Sequence, residues 1–398
     1  MAGDRIGASR VRAWAPSRAL RDSWTALWTS RVLIWAAGMG AVGIWGLSAR
    51  AAGFDPTGMS GGVWFSPAAR WDGIWFLEIA RFGYDDGPTA AFFPLYPLAL
   101  KAVGSGLIVA VLLTTLFFLV ALVALHELTA IELGPDAARW TVLALAFSPM
   151  AFFFSALYSE SLFLALSVGA VLAARKDRWM WAGVLGAGAA ATRSTGVAVV
   201  VALVMLGWGR ASWRQLAWVA LVPLGLIAFP IGLHLAGLDP KAPFDAQDVW
   251  YREWAGPLGG VWDGAVAAWA GVRQLVEGSD GRIYFPIAGG DPMAIARINV
   301  GLFAWIPLVV LALVGVLRRL PLGYAAYVVA SLAVPLSYPV VPQPLMSFPR
   351  FVLVAFPLWM WFGWLLSRHP RARIPALVLS AILLAVSVAQ FATWHFVA

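Results

Sequence analysis

The run Val32–Ala49, VLIWAAGMGAVGIWGLSA, flanked by Arg31 and Arg50, decides the class of this chain. As a helix its 18 residues reach roughly 27 Å, enough to cross the apolar core of a bilayer with little tilt. A secretory h-region is shorter, so the run reads as an uncleaved anchor. The rest of the chain agrees. Over 398 residues, hydrophobic side chains make up 61% and charged ones only 12%. With a mean hydropathy of +0.79, this composition lies outside that of soluble domains and predicts an all-α polytopic membrane protein.

N-terminal to the anchor, Arg5, Arg10, Arg12, Arg18 and Arg21 give residues 1–30 the character of a cytoplasmic basic segment. Within it, residues 13–29 carry Trp14, Leu20, Trp24, Leu27 and Trp28 among arginines. They read either as an amphipathic helix on the membrane surface or as a disordered tail. Residues 31–398, the anchor included, form one transmembrane domain. Apolar runs follow at about 104–125, across 139–174 and 179–209 (two helices each), and at about 215–236, 298–317, 321–337, 350–366 and 374–392. With the anchor this gives about 11 spans. Two long loops, 50–103 and 237–296, separate them. Short basic turns, such as Arg175, Lys176 and Arg178, or Arg368, Arg371 and Arg373, all fall on one side, and both acid-rich loops fall on the other. By the positive-inside rule the loops are non-cytoplasmic. The net charge of +8 is thus a matter of topology and implies no nucleic-acid partner. Membrane lipids are the expected surroundings.

Chemistry is confined by what is missing. There is no cysteine, and the four histidines are scattered singly, without metal-ligand spacing. The acids that matter cluster in Arg70–Lys101, RWDGIWFLEIARFGYDDGPTAAFFPLYPLALK, close after the anchor. Asp72 opens a helical pattern there, with apolar residues at 74, 75, 77, 79 and 82. It reads as an N-cap, as a general base at the water–membrane boundary beside Trp71 and Trp75, or as both. Arg193, in Thr192-Arg193-Ser194-Thr195 between two short apolar runs, is costly there unless paired. It reads as a snorkelling side chain or as a phosphate ligand, and so does Arg350 after Ser347-Phe348-Pro349. Glu160, beside Tyr158, sits at another such turn and reads as a group that orients an arginine or an acceptor, or as a plain interfacial acid. Phe92–Pro97 reads as the lining of an access groove for an isoprenoid, or as packing. Gly183, Gly186 and Gly188 follow no strand and read as a close helix crossing.

In combination these passages resemble the PIG-V family of mannosyltransferases, which add the second mannose of the GPI anchor, and their bacterial relatives. The likeness is carried by Arg70-Trp71-Asp72 through Glu78 and Tyr84 to Phe92-Phe93-Pro94-Leu95-Tyr96-Pro97, by Phe147-Ser148-Pro149 through Tyr158-Ser159-Glu160-Ser161, and by Ala191–Gly196. Pro349-Arg350-Phe351 is a weaker echo. The resemblance implies a GT-C glycosyltransferase fold whose first non-cytoplasmic loop carries the catalytic aspartate. It also implies inverting transfer from a polyprenyl- or dolichyl-phosphate mannose. Asp72 takes the catalytic role, and Arg193, with Arg350, is expected at the donor phosphate. Arg70, Trp71, Trp75, Glu78, Tyr84, Phe93, Tyr96, Tyr158 and Glu160 are the expected substrate-binding residues. A monophosphate donor calls for no metal and no other cofactor. The many Ala and Arg and few Lys suggest a bacterial plasma membrane, with the site on the extracytoplasmic face and a lipid-linked or cell-envelope glycan as acceptor. A lipid-linked sugar transporter, and a transferase of another sugar or onto protein, remain as alternatives. The chain shows no internal repeat of the transporter kind.

Overall fold

A computed structural model describes residues 17–48, 55, 58–85, 87–278, 291–341 and 343–397. Arg5, Arg10, Arg12, Trp14, Arg50 and Asp280 lie outside them. Among the described residues the chain is helical, with only isolated bridges at Arg252, Val340 and Gln343. The helices are α1 (Arg18–Trp45), α2 (Asp72–Phe82), α3 (Leu95–Ala102), α4 (Leu107–Leu133), α5 (Pro135–Ala146), α6 (Glu160–Arg175), α7 (Trp179–Thr192) and α8 (Ser194–Gly207). They continue as α9 (Trp213–Leu235), α10 (Ala242–Val249), α11 (Gly259–Glu277), α12 (Pro292–Arg319), α13 (Leu322–Ser337), α14 (Phe348–Val354), α15 (Phe356–Arg368) and α16 (Pro370–Ala392).

Five of these, α1, α4, α9, α12 and α16, are long and apolar enough to cross a membrane. The α14–α15 pair makes a sixth if its 71° bend at Ala355 lies within one span. Eleven spans were expected. The others fall on α5, α6, α7, α8 and α13, which have 12 to 16 residues. At 1.5 Å per residue they reach roughly 18–24 Å, short of an apolar core of about 30 Å. These short helices end at Glu160, Arg193 and the segment before Arg350, so the chain reverses around charged residues instead of continuing to the surface.

The long helices show how sequence sets their faces. In α4, the most apolar at a mean hydropathy of 3.0, Ala110, Thr114, Phe118, Ala121, Leu125 and Leu128 are buried. Ile108, Leu112, Leu116 and Val120 lie on the opposite stripe and are exposed, as a helix facing lipid requires. Gly134, in the left-handed region at φ 92°, and Pro135 at the start of α5 turn the chain back sharply. The glycine run of α7 is a crossing, as read from the sequence: a Cβ at Gly183 would strike the Trp218 carbonyl of α9, and one at Gly225 would strike Ala187. One expectation is corrected. Residues 18–29 are not a separate surface helix but the first turns of α1, which continues unbroken to Trp45 and buries Ser23, Ala26, Leu27, Ser30 and Arg31. Arg18 and Asp22 are held there by Asp136 and His126. The two long loops also carry helices of their own, α2 and α3 in the first, α10 and α11 in the second.

Candidate functional site

Three chain reversals and one loop meet at a single place. The loop 58–71 delivers Asp72 as the first residue of α2, and Leu157 N–H donates to the Ala68 carbonyl (2.9 Å), tying that loop to the α5–α6 turn. Tyr158 in that turn accepts the Asp72 backbone N–H (3.1 Å) on its hydroxyl. The Asp72 carboxylate therefore caps nothing: the N-cap position is Trp71, and no side chain fills it. Trp71 itself sits at φ 53°, a left-handed conformation for a bulky residue. Its ring packs on Trp394 (5.5 Å) and Phe396 (6.4 Å).

Asp72 is instead the open end of a four-residue ionic network. Arg350 Nη1 donates to Asp72 Oδ2 (2.8 Å), and Arg350 Nε donates to Glu160 Oε1 (2.9 Å). Arg193 Nη1 donates to the same Glu160 oxygen (2.6 Å) and to Ser159 Oγ (3.3 Å). The Arg350 guanidinium also lies over the Phe153 ring (5.0 Å) and the Tyr158 ring (4.8 Å), and Arg193 over Phe351 (5.8 Å). Side-chain exposure runs from 0% at Glu160 through 13% and 14% at the arginines to 27% at Asp72. Two acids and two arginines cancel in formal charge, which is how four ionised groups can sit this deep. Asp72 Oδ1 accepts no hydrogen bond from any described residue, so the network holds that carboxylate by one oxygen, and the side chain is 27% exposed.

Aromatic rings wall the open side. Trp75, one turn on from Asp72, stacks on Phe92 (6.2 Å), and Trp250 meets both edge-on (6.3 and 6.1 Å). Trp250 comes from the second long loop, just past α10. Phe92 thus belongs to the wall, whereas Phe93 packs on Phe229 of α9 (5.3 Å).

The residues expected from the sequence separate into two groups. Asp72, Tyr158, Glu160, Arg193 and Arg350 converge, with Trp71 and Trp75 beside them. The others stand apart. Arg70 is buried and donates to the carbonyls of Ala392 (3.1 Å) and Ala69 (2.8 Å), and burial lowers its guanidinium to about 10. Tyr84 donates to the Phe92 carbonyl (2.8 Å), with its phenol pushed up by burial, and packs on Phe229. Tyr96 is fully buried against Phe76 and bonded to Thr114 (2.7 Å). Glu78 is half-buried on α2 and takes no part in the network. Arg70, Tyr84 and Tyr96 brace the loop that presents Asp72. Sequence reasoning passed over Trp250 and Arg252. The available signal was local: Arg252 is the lone cation between Lys241 and Arg273, set among Trp250, Tyr251 and Trp254.

A carboxylate open on one side, backed by an arginine and faced by stacked rings, can take a proton from a hydroxyl bound against the rings. Residues 60–216 match the Mannosyltransferase (PIG-V) family. This segment contains Asp72, Tyr158, Glu160 and Arg193, but not Arg350. The chain is also similar to GPI alpha-1,6-mannosyltransferase 2 of Rattus norvegicus, 36% identical over 192 residues, covering 44% of this chain and 38% of the rat protein. Against the protein of that name from Mus musculus the identity is 37% over 155 residues, 35% of this chain and 30% of the mouse protein. Against that from Homo sapiens it is 34% over 158 residues, 36% and 31% of the two chains. The chain thus spans less than two fifths of the length of these relatives.

Proposed function

We propose that this chain, in which the PIG-V likeness is shown over residues 60–216, is a membrane mannosyltransferase of the GT-C kind that takes its sugar from a polyprenyl-phosphate mannose. The observation that carries the reading is the pairing of Asp72 with Arg350, itself held by Glu160, at the edge of a buried, charge-balanced network. The acceptor hydroxyl lies against Trp75 and gives its proton to Asp72. Its oxygen forms the new bond to the anomeric carbon, on the face opposite the phosphate. The bond from that carbon to the phosphate oxygen breaks and its electron pair leaves with the lipid phosphate, so the anomeric configuration inverts. A guanidinium meets the charge that builds on the phosphate, and no metal is required at that step. Arg350 fixes the Asp72 carboxylate, and Glu160 fixes Arg350.

The site faces the extracytoplasmic side, where the positive-inside rule puts both long loops. The named relatives act on GPI. For this chain the acceptor is a lipid-linked or envelope glycan. The test is to incubate the purified protein with polyprenyl-phosphate mannose and membrane lipid extract and to look for mannosylated lipid by mass spectrometry. Wild type is expected to give product and Asp72→Ala none. Absence of product from wild type, or equal product from both, would refute the reading.

A further inference from the structure

We propose that Arg252, in the second long loop, binds the anionic phosphate of the substrate, and that Arg193 and Arg350 do not. The inference rests on the mannosyl-transfer reading for the identity of that phosphate. It rests on the structure for the residue.

The loop is strapped to the segment that leads into α14. Val341 N–H donates to the Tyr251 carbonyl (2.8 Å), Glu253 N–H to that of Pro339 (3.2 Å) and Ala255 N–H to that of Ser337 (3.0 Å), with Arg252 bridged to Val340. Two residues earlier, Trp250 is seated on Trp75 and Phe92. Arg252 is therefore held at both ends, beside the ring wall and on the approach to Arg350. Its surroundings show the same placement: burial and the charges of Arg350 and Arg193 pull its guanidinium down, while Asp72 raises it. Tyr251, just before it, has φ 54°, close to the 53° of Trp71 before Asp72, and Ser347, three residues before Arg350, has 64°. A residue of positive φ thus lies one to three positions before each of Asp72, Arg252 and Arg350.

Charge balance selects among the three arginines. Arg193 and Arg350 are committed to Glu160 and Asp72, and to redirect them would strand a fully buried carboxylate. Arg252 has no carboxylate ion pair among the described residues. Nη1 donates to the Tyr338 carbonyl (2.9 Å), and the side chain is partly exposed. Since the four-residue network sums to zero, Arg252 leaves the cluster with one net positive charge. A lipid-phosphate sugar is a phosphodiester with one negative charge, and departure of the sugar adds a second. A single uncommitted guanidinium, planar and rich in donors, matches that need.

The experiment measures binding of polyprenyl phosphate, which carries no sugar, to the full chain in detergent. A parallel arm uses inorganic phosphate to separate recognition of the lipid from recognition of the bare anion. Arg252→Gln is expected to weaken polyprenyl phosphate binding at least tenfold, with Arg252→Lys between it and wild type and with thermal unfolding of both variants unchanged. The wild-type affinity should fall as salt is raised, and that of Arg252→Gln should be flatter. Equal affinity of wild type and Arg252→Gln, or no binding by wild type, would overturn the proposal. Transfer is read separately. A wild type that binds polyprenyl phosphate through Arg252 and yet forms no mannosylated product refutes the transferase reading and leaves the phosphate site standing.

Discussion

Helix α6 carries a charged cluster at each end, and the two ends are built on different terms. At its C-terminus Arg175 pairs with Glu132 (2.5 Å), which also accepts from the Tyr324 hydroxyl (2.8 Å). Nearby Lys176 pairs with Glu127 (2.5 Å) and Arg18 with Asp136 (2.9 Å). In the last two pairs every partner is at least 39% exposed. At its N-terminus, roughly 24 Å away along the helix, Glu160 is fully buried and serves two arginines. The first cluster fastens helix ends, and in its Lys176 and Arg18 pairs water can replace either partner. The second has only itself, and its one exposed member is a carboxylate held by a single oxygen. The difference separates ion pairs that fasten helix ends from a buried network with one partly exposed carboxylate, which is what the proposed proton transfer needs.

That contrast can be broken by mutation. Glu160→Gln should cost the most, about 3–5 kcal/mol of stability, because two buried arginines lose their shared partner. Chemical unfolding in detergent reads this, and a loss below about 1 kcal/mol would place the two clusters on the same footing. Arg350→Lys keeps the charge but cannot reach Asp72 and Glu160 together. Loss of one charge-assisted bond, about 1.5–3 kcal/mol, should lower turnover roughly 10- to 100-fold. An unchanged rate would show that Asp72 does not need its fork. Lys176→Ala, in the exposed cluster, should change stability by about 0.2–1 kcal/mol and leave kinetics untouched. A kinetic effect there would mean that the two ends of α6 communicate.

Much of this site was legible in the sequence as expense. Glu160 and Arg193 interrupt apolar runs, and a charge in such a place must be paired or facing water. What could not be read was the pairing itself: Asp72 and Arg350 are 278 positions apart and Arg350 and Glu160 are 190 apart, so only the packed bundle decides which acid meets which base. The helix boundary at Arg18 was missed for the same reason, since Arg18, which reads as part of a surface segment, is held by Asp22 and by Asp136 of α5. Arg252 was passed over because it stands among Asp245, Asp248, Glu253 and Asp263, where a cation reads as an ordinary solvated charge. The loop's acids likewise obscured α11, whose Trp262, Val266, Trp269 and Val276 lie along one exposed stripe.

The account stands or falls on the Asp72 carboxylate as the proton acceptor. Its most direct measurement is single-turnover transfer of labelled mannose from polyprenyl-phosphate mannose by wild type and Asp72→Asn, with donor binding followed in the same preparations. Asn keeps the shape and a hydrogen-bond acceptor for Arg350 but has no basic oxygen. The account predicts donor binding within a few-fold of wild type and a transfer rate lower by about 10²–10⁴. Transfer at close to the wild-type rate would contradict it.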